Sequence, residues 1–179
     1  MSSILFVGGC RSGKSGLAQR WAEKTAPRRV FIATARAVDA EMQARIARHR
    51  AGRGPGWSCV EEAVKLVPVM QDLASEPVAD KALLLDCVSF WLCNLMELGL
   101  ADKDIADKVE ELGRWLAVAP LPVAVVTHES GCGVAPASTL GNHFRDLNGE
   151  ANQILARHCP CVILVSCGLP LMLKGSAQL

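Results

Sequence analysis

The 179-residue sequence has no tyrosine, and its aromatic residues are four phenylalanines and four tryptophans. Basic and acidic residues nearly balance, which leaves a formal net charge of +1 at pH 7. Proteins that bind single-stranded nucleic acids without sequence preference combine a basic groove with aromatic side chains, and this sequence shows no such basic stripe. The composition argues against a nucleic-acid-binding function, and the small net charge gives no general attraction to an anionic membrane.

Long apolar runs are also absent, since no stretch reaches the roughly 18 residues that a membrane-spanning helix requires. The first apolar segment, Ile4 to Val7, is short and leads directly into a glycine-rich segment. A secretory signal has a longer apolar region and a cleavage site of small residues. The sequence therefore predicts neither a membrane span nor a secretory signal.

The eight cysteines are scattered, and no two have the C-x-x-C spacing that is typical of zinc and redox motifs. The histidines, at His49, His128, His143 and His158, do not fall at ligand spacing with them. A zinc site is therefore not expected. Because the chain also contains the phosphate-binding motif described next, reduced thiols and a cytoplasmic location are expected.

A complete G-x-x-x-x-G-K-S motif follows the first apolar segment. Its residues are Gly8, Gly9, Cys10, Arg11, Ser12, Gly13, Lys14 and Ser15. In this motif the glycines let backbone N–H groups face phosphate oxygens, the lysine contacts the β- and γ-phosphates, and the serine hydroxyl binds Mg²⁺. A helical apolar pattern follows, so a helix N-terminus would also face the phosphates. The motif predicts a nucleotide-binding loop.

Buried-type apolar runs alternate with helical patterns along the rest of the chain. Strands are predicted at 4–7, 30–34, 82–86, 122–127 and 161–166, and helices at 14–25, 39–52, 63–74, 88–98, 101–117 and 143–158. Continuous apolar strands are typical of parallel sheets that are covered on both faces. The expected fold is α/β: one three-layer α/β/α P-loop NTPase domain (RecA-like) over residues 1–179, with a mostly parallel sheet.

Ligands of such folds bind at the carboxyl ends of the strands, where Thr34, Asp86 and the segment 127–129 are expected. Asp86 is a candidate Mg²⁺ ligand together with Ser15. It is alternatively the N-cap of the helix predicted at 88–98. His128 and Glu129 could act as an acid–base pair, Glu129 could position a substrate hydroxyl, or both could serve only the turn.

The segment 39–53 is a candidate basic helix. His49 ends an apolar stripe that includes Met42 and Ile46, and its neighbours are basic. These neighbours are Arg45, Arg48, Arg50 and Arg53. Guanidinium groups bind phosphate in a bidentate manner, and nearby positive charge favours a neutral, nucleophilic imidazole. The alternative is a solvated basic helix with a half-buried histidine.

Two other functions are compatible with a phosphate-binding loop. A small-molecule kinase without a covalent step would not require His49. A nucleotide switch agrees less well with the sequence, because its D-x-x-G sequence, at 146–149, lies within a predicted helix and the chain has no N-K-x-D motif. Phe144, Arg145 and Asp146 are expected to open that helix, with Asp146 as a first-turn carboxylate and Arg145 as a candidate phosphate ligand. Purely structural roles are the alternative for both residues.

Taken together, these segments resemble one family, the bifunctional adenosylcobinamide kinase / adenosylcobinamide-phosphate guanylyltransferase of cobalamin biosynthesis. The resemblance extends from Gly8 to Lys174. Its most specific part is the joint order of the motif around His49, the segment 129–136 and the Phe-Arg-Asp sequence at 144–146. The chain departs from the family pattern at the positions His128, Ser130 and Cys132.

The resemblance implies two reactions: phosphorylation of adenosylcobinamide by ATP or GTP, then transfer of GMP from GTP to its phosphate through a guanylyl-histidine. It implies that His49 and Lys14 are catalytic and that Mg²⁺ is the cofactor. It further implies a cytoplasmic homotrimer with adenosylcobinamide and its phosphate as substrates. Beyond the phosphate loop, the implied nucleotide contacts are Ala33, Thr34, Ala35, Arg50, Ala51, Gly52, Arg53, Glu61 and Asp86.

Overall fold

A computed structural model of the chain describes residues 3–36, 43, 54–75 and 80–179. The strands are β1 (Ser3–Gly8), β2 (Arg28–Ala33), β3 (Trp57–Glu61), β4 (Lys81–Asp86), β5 (Val123–His128), β6 (Cys161–Ser166) and β7 (Leu169–Lys174). The helices are α1 (Lys14–Thr25), α2 (Leu66–Ser75), α3 (Val88–Glu97), α4 (Asp102–Ala117) and α5 (Thr139–His158). In this part of the chain, no helix is both long and apolar enough to cross a membrane.

All seven strands belong to one sheet, in the order β3-β2-β4-β5-β1-β6-β7. The strands from β1 to β6 pair in parallel, and only β7 is antiparallel, to β6. The parallel strands therefore all end at the same edge, which we call the carboxyl edge. β1 lies between β5 and β6, so the loop after β1 has the ends of both strands as neighbours.

The central strands are buried on both faces, as their apolar runs predict. Successive side chains of a strand point to opposite faces. Leu5 of β1 belongs to the core between the sheet and the helices α2 to α5. Phe6, the next residue, belongs to a second core that contains Leu17 and Trp21 of α1. Helices thus cover both faces, which confirms the three-layer α/β fold with a mostly parallel sheet.

Two strands were not predicted. In β3, three of the five residues are exposed and the other two are half-buried, so the strand lacks a continuous apolar run. β7 is exposed along its whole length and contains Pro170, which is typical of an edge strand. Both are strands at the edges of the sheet, where burial leaves a weak pattern in the sequence.

Of the predicted helices, one begins earlier than expected and one lies almost entirely outside the described residues. α5 begins at Thr139 rather than at 143, with Ser138 as its N-cap. Residues 144–146 therefore lie in the second turn of this helix and do not open it, and the D-x-x-G sequence at 146–149 lies inside the helix as expected. The helix predicted at 39–52 falls outside the described residues except for Gln43.

Candidate active site

The G-x-x-x-x-G-K-S segment forms a loop between the end of β1 and the start of α1, as predicted. Gly13 has φ 92° and Arg11 has φ 55°, and these positive values turn the backbone sharply between strand and helix. The backbone N–H of Ser12 donates to the Gly9 carbonyl at 3.3 Å. The Lys14 ammonium donates to the same carbonyl at 3.1 Å, which holds the side chain across the loop.

The phosphate loop packs closely against both of its neighbours in the sheet. After β5, the N–H of Glu129 donates to the Gly8 carbonyl at 3.0 Å. After β6, the N–H of Gly168 donates to the Ser12 carbonyl at 2.9 Å. A Cβ atom at Gly8 would lie 2.5 Å from the Val165 carbonyl oxygen. The loop therefore has no room for a side chain at this glycine.

Two polar groups of the loop are well placed for phosphate. Lys14 is buried, with an exposed fraction of only 5%. The Ser12 hydroxyl is also buried, and the described residues offer it no hydrogen-bond partner. Buried polar groups are usually hydrogen-bonded, so an unpaired hydroxyl in this loop fits a ligand with acceptor oxygens. Together with the N-terminus of α1, these groups suit a nucleotide phosphate chain.

Asp86 ends β4 at the carboxyl edge. The N-cap of α3 is Cys87, which does not support the alternative in which Asp86 caps this helix. Burial and, to a lesser extent, the charge of Asp86 raise the pKa of Cys87 to about 12, while the charge of Lys14 acts in the opposite direction. Both charges thus act on one thiol, which places the carboxylate and the lysine in the same part of the site.

The residues fit a magnesium site with few protein ligands. Mg²⁺ is commonly bound by one or two protein oxygens together with waters and substrate phosphates. Ser15 lies in the first turn of α1, directly after the loop, and Asp86 lies at the same edge of the sheet. Among the described residues, no group of three or more histidine, cysteine, aspartate or glutamate side chains could hold a metal. The described residues therefore contain no metal site made of three or more such side chains.

The nucleotide contacts predicted on β2 and β3 also lie at the carboxyl edge. Ala33 pairs with Asp86 on one side and with Glu61 on the other. The hydroxyl of Thr34 donates to the Cys87 carbonyl at 2.7 Å and accepts from its N–H at 2.9 Å. At about 4.8 Å per strand, Glu61 lies roughly 19 Å across the sheet from β1. The structure therefore does not place it beside the phosphate loop.

A buried network of side chains fixes the end of β5. The hydroxyl of Ser89 accepts from the His128 N–H at 2.9 Å and donates to Asn148 at 2.8 Å. The amides of Asn148 and Asn152 both donate to the His128 carbonyl, at 2.7 and 2.8 Å. Thr127 donates to Asn152 at 2.7 Å. Side chains of α3 and α5 thus bind both peptide groups of the last residue of this strand.

Glu129 follows the network and closes a turn. Its carboxylate accepts from the N–H of Gly131 at 2.7 Å and from that of Cys132 at 3.0 Å. Burial alone would raise the pKa of Glu129, but the hydrogen bonds from Cys132 and Gly131 outweigh it, and the pKa lies below its usual value. The turn function is therefore observed, and the carboxylate is charged at neutral pH.

Sequence reasoning did not identify Ser89 or Asn148 as parts of the site. Single polar residues inside amphipathic helices have no distinctive spacing. The one available signal was that both lie at apolar-face positions of their helices, where a polar side chain requires a partner. Arg145 was identified and lies on α5, with its Nε 3.5 Å from Asp146.

The candidate nucleophile and its basic neighbours lie outside the described residues. This group comprises Arg45, Arg48, His49, Arg50, Ala51, Gly52 and Arg53. The roles that the sequence predicts for them therefore stay predictions.

Comparison with known proteins identifies the family. A family model described as cobinamide kinase / cobinamide phosphate guanyltransferase (CobU) matches residues 4–173. The chain belongs to this family. The match includes the phosphate loop, Asp86, the network at the end of β5 and all of β7 except Lys174.

Three relatives have similar lengths. A bifunctional adenosylcobalamin biosynthesis protein CobP from Pseudomonas aeruginosa strain PAO1 is 39% identical over 173 residues, covering 96% of each chain. The CobU proteins of Salmonella typhimurium strain LT2 and Escherichia coli K12, with the same description, are each 34% identical. Each of these two alignments covers 96% of this chain and 99% of the relative.

Among solved structures, the fold is similar to that of an ATPase from the type III secretion system of pathogenic bacteria. The TM-score is 0.57 at 12% identity. The match covers 96% of this chain and 56% of the ATPase chain. At this identity the similarity concerns the fold alone, and it agrees with a P-loop nucleotide-binding fold.

Proposed function

We propose that this protein is a bifunctional enzyme of cobalamin biosynthesis. It phosphorylates adenosylcobinamide and then transfers GMP from GTP to the resulting phosphate. The main support is the family match over residues 4–173, combined with a phosphate loop whose buried Lys14 and unpaired Ser12 hydroxyl suit a nucleotide.

In the kinase step, the hydroxyl oxygen of the aminopropanol group attacks the γ-phosphorus of ATP or GTP, and the nucleoside diphosphate leaves. Lys14 and the N–H groups of the loop stabilise the charge on the transferring phosphoryl group. Ser15 and Asp86 would hold Mg²⁺, which neutralises phosphate charge when bound. Burial of Lys14 favours this step, because water screens its charge less than at an exposed position.

In the guanylyl step, a ring nitrogen of His49 attacks the α-phosphorus of GTP, and pyrophosphate leaves. A phosphate oxygen of the cobinamide phosphate then attacks the guanylyl phosphorus and releases His49. The arginines around His49 would neutralise the triphosphate during the attack. This assignment rests on the sequence motif at 45–53. Ala33, Ala35 and Glu61 are proposed to contact the nucleotide on the far side of the carboxyl edge.

We also propose that residues 1–179 form one nucleotide-binding domain and that the enzyme is a homotrimer. The single sheet supports the first proposal, because its seven strands extend from Ser3 to Lys174. The homotrimer rests on the family resemblance, and sedimentation equilibrium would test it directly.

The experiment is to incubate the enzyme with adenosylcobinamide, Mg²⁺ and either ATP or GTP and to identify the corrinoid products by mass spectrometry. With GTP we expect both the phosphate and the GDP derivative, and with ATP alone only the phosphate. A reaction that stops at the phosphate with GTP would indicate a kinase without the guanylyl step. No corrinoid product with either nucleotide would contradict the proposed function.

A further inference from the structure

Two large apolar side chains are exposed on the segment between β5 and the first turn of α5. Val134 is 98% exposed and Leu140 is 69% exposed. The other exposed large apolar residues of the described chain are Leu98, Val118, Leu169, Leu171, Met172 and Leu173. Single exposed apolar residues are common on protein surfaces, so the position of this pair matters more than its exposure.

The segment that carries both residues folds back onto the start of α5 at Pro136. A Cβ atom at Gly141 would lie 2.6 Å from the Cβ of Pro136, so the loop folds back onto the first turn of the helix. The side-chain amide of Asn142 donates to the Pro136 carbonyl at 2.9 Å. Val134 therefore lies two residues before this contact, and Leu140 lies next to it on the helix.

The other end of the segment is bonded to the phosphate loop. The Glu129 N–H donates to the Gly8 carbonyl, and the buried Asn148 donates to the Ser130 hydroxyl at 3.1 Å. Because β5 pairs directly with β1, the segment begins beside the position where phosphate would bind. A molecule that reacts with a nucleotide in this loop must approach along a neighbouring surface.

The proposed acceptor has the chemistry to cover such a surface. Cobinamide is a large macrocycle that bears methyl groups and amide side chains, and its reacting hydroxyl is on a flexible arm. We propose that Val134 and Leu140 form an apolar subsite that contacts the corrin macrocycle while the arm reaches the phosphate loop. This inference rests on the proposed function and adds to it the surface that selects a corrinoid acceptor.

The test uses the full-length double variant Val134→Ser/Leu140→Ser. Cobinamide binding is measured by equilibrium dialysis, using the absorbance of the corrinoid, and kinase activity is measured in parallel. We expect the dissociation constant and the KM for cobinamide to rise about tenfold, because apolar contact area is lost. The kcat at saturating cobinamide and the affinity for GTP should not change.

Val118→Ser is the matched control. Val118 is also a valine with 78% exposure, but it follows the end of α4. There the Leu116 carbonyl accepts from the hydroxyl of Ser3 at the start of β1, opposite the carboxyl edge. The control should leave cobinamide affinity unchanged. Far-UV circular dichroism and thermal unfolding of all variants verify that the fold is retained.

Three results would overturn the inference. They are an unchanged cobinamide affinity in the double variant, an equal loss of affinity for GTP, and a change in subunit association by light scattering, which would assign the pair to an interface between copies. If wild type and the double variant phosphorylate cobinamide equally well, only the proposed subsite is overturned. Wild-type protein that neither binds nor phosphorylates cobinamide would overturn the proposed function as well.

Discussion

The phosphate loop and the end of β5 are neighbours at the carboxyl edge, but different kinds of contacts hold them. In the phosphate loop, backbone groups make most of the contacts: Gly8 and Ser12 accept from the N–H groups of Glu129 and Gly168. At the end of β5, side chains of two helices bind the peptide groups of His128. The first region depends on glycines and the second on buried polar side chains.

This difference suggests a division of roles between the two regions. A loop made of backbone groups presents N–H donors to phosphate and does not depend on the identity of the acceptor. The segment after β5 presents side chains instead. It is fixed by residues of α3 and α5, which can be replaced without changing any residue of the phosphate loop. Changes in the first region should affect every nucleotide reaction, and changes in the second should affect mainly the acceptor.

Replacing Lys14 with alanine should have the largest effect on the kinase reaction. Loss of one preorganised charge at a transferring phosphoryl group lowers kcat by roughly 100- to 1,000-fold. The measurement is the rate of cobinamide phosphate formation with ATP. Lys24→Ala is the control on the same helix, because its ammonium contacts the Leu179 carbonyl instead. Full activity of Lys14→Ala would contradict the assignment of this loop.

Replacing Gly8 with alanine should weaken both folding and nucleotide binding. The added Cβ would lie 2.5 Å from the Val165 carbonyl and 2.6 Å from the Ser12 hydroxyl. Overpacking of this kind lowers the free energy of unfolding by about 1–3 kcal/mol. Urea denaturation and GTP titration measure the two effects.

Gly149→Ala serves as the comparison for Gly8→Ala. A Cβ at Gly149 would meet no atom within 4 Å, and the residue lies inside α5. This change should raise the free energy of unfolding by about 0.5–1 kcal/mol, since glycine weakens a helix interior. Equal effects of the two variants would show that the close packing of Gly8 has no energetic consequence.

Replacing Asn148 with alanine should separate the two regions. The change leaves the Ser89 hydroxyl with one fewer partner and should lower the free energy of unfolding by about 1–3 kcal/mol. We expect kcat/KM for cobinamide to fall more than the affinity for GTP. Gln153→Ala, at an exposed position of the same helix, should stay within about 0.5 kcal/mol of wild type. A larger loss of GTP affinity would argue against separate roles.

The smallest expected effect is the pH-dependent contribution of the Glu129 charge to stability. Because the pKa of this carboxyl lies below its ordinary value of 4.5, its charge stabilises the folded state above pH 4.5. This contribution is lost as pH falls through the lower folded-state pKa. The difference in unfolding free energy between wild type and Glu129→Gln should therefore be largest above pH 4.5 and shrink below it. Glu111→Gln, exposed on α4, controls for loss of a negative charge, and an equal pH dependence would contradict the account.

Much of the fold could be predicted from the sequence, because the central strands are continuous apolar runs and the phosphate loop has a distinctive spacing. The edge strands β3 and β7 could not, since few of their side chains are buried. The family prediction is confirmed by the match over residues 4–173. The cytoplasmic location and the homotrimer stay predictions.

Sequence reasoning located site residues only where a residue type, at a characteristic position in a motif or at a strand end, has a specific chemistry. Lys14, Ser15 and Asp86 lie at the carboxyl edge as expected. The network of Ser89 and Asn148 depends on which helix faces meet β5, and this is determined by tertiary packing rather than by any local pattern. The roles of His49 and Arg50 were inferred from the motif and from the family resemblance.

The central claim is that one small P-loop enzyme also forms a covalent guanylyl-histidine. The most direct measurement is the intact mass of the protein after incubation with GTP and Mg²⁺, for wild type, His49→Ala and the control His143→Ala. His143 contacts Asp102 of α4 at 2.8 Å and has no proposed catalytic role. The account predicts an acid-labile adduct of the mass of GMP on wild type and on the control, and none on His49→Ala. A folded, GTP-binding wild-type protein without any adduct would contradict it.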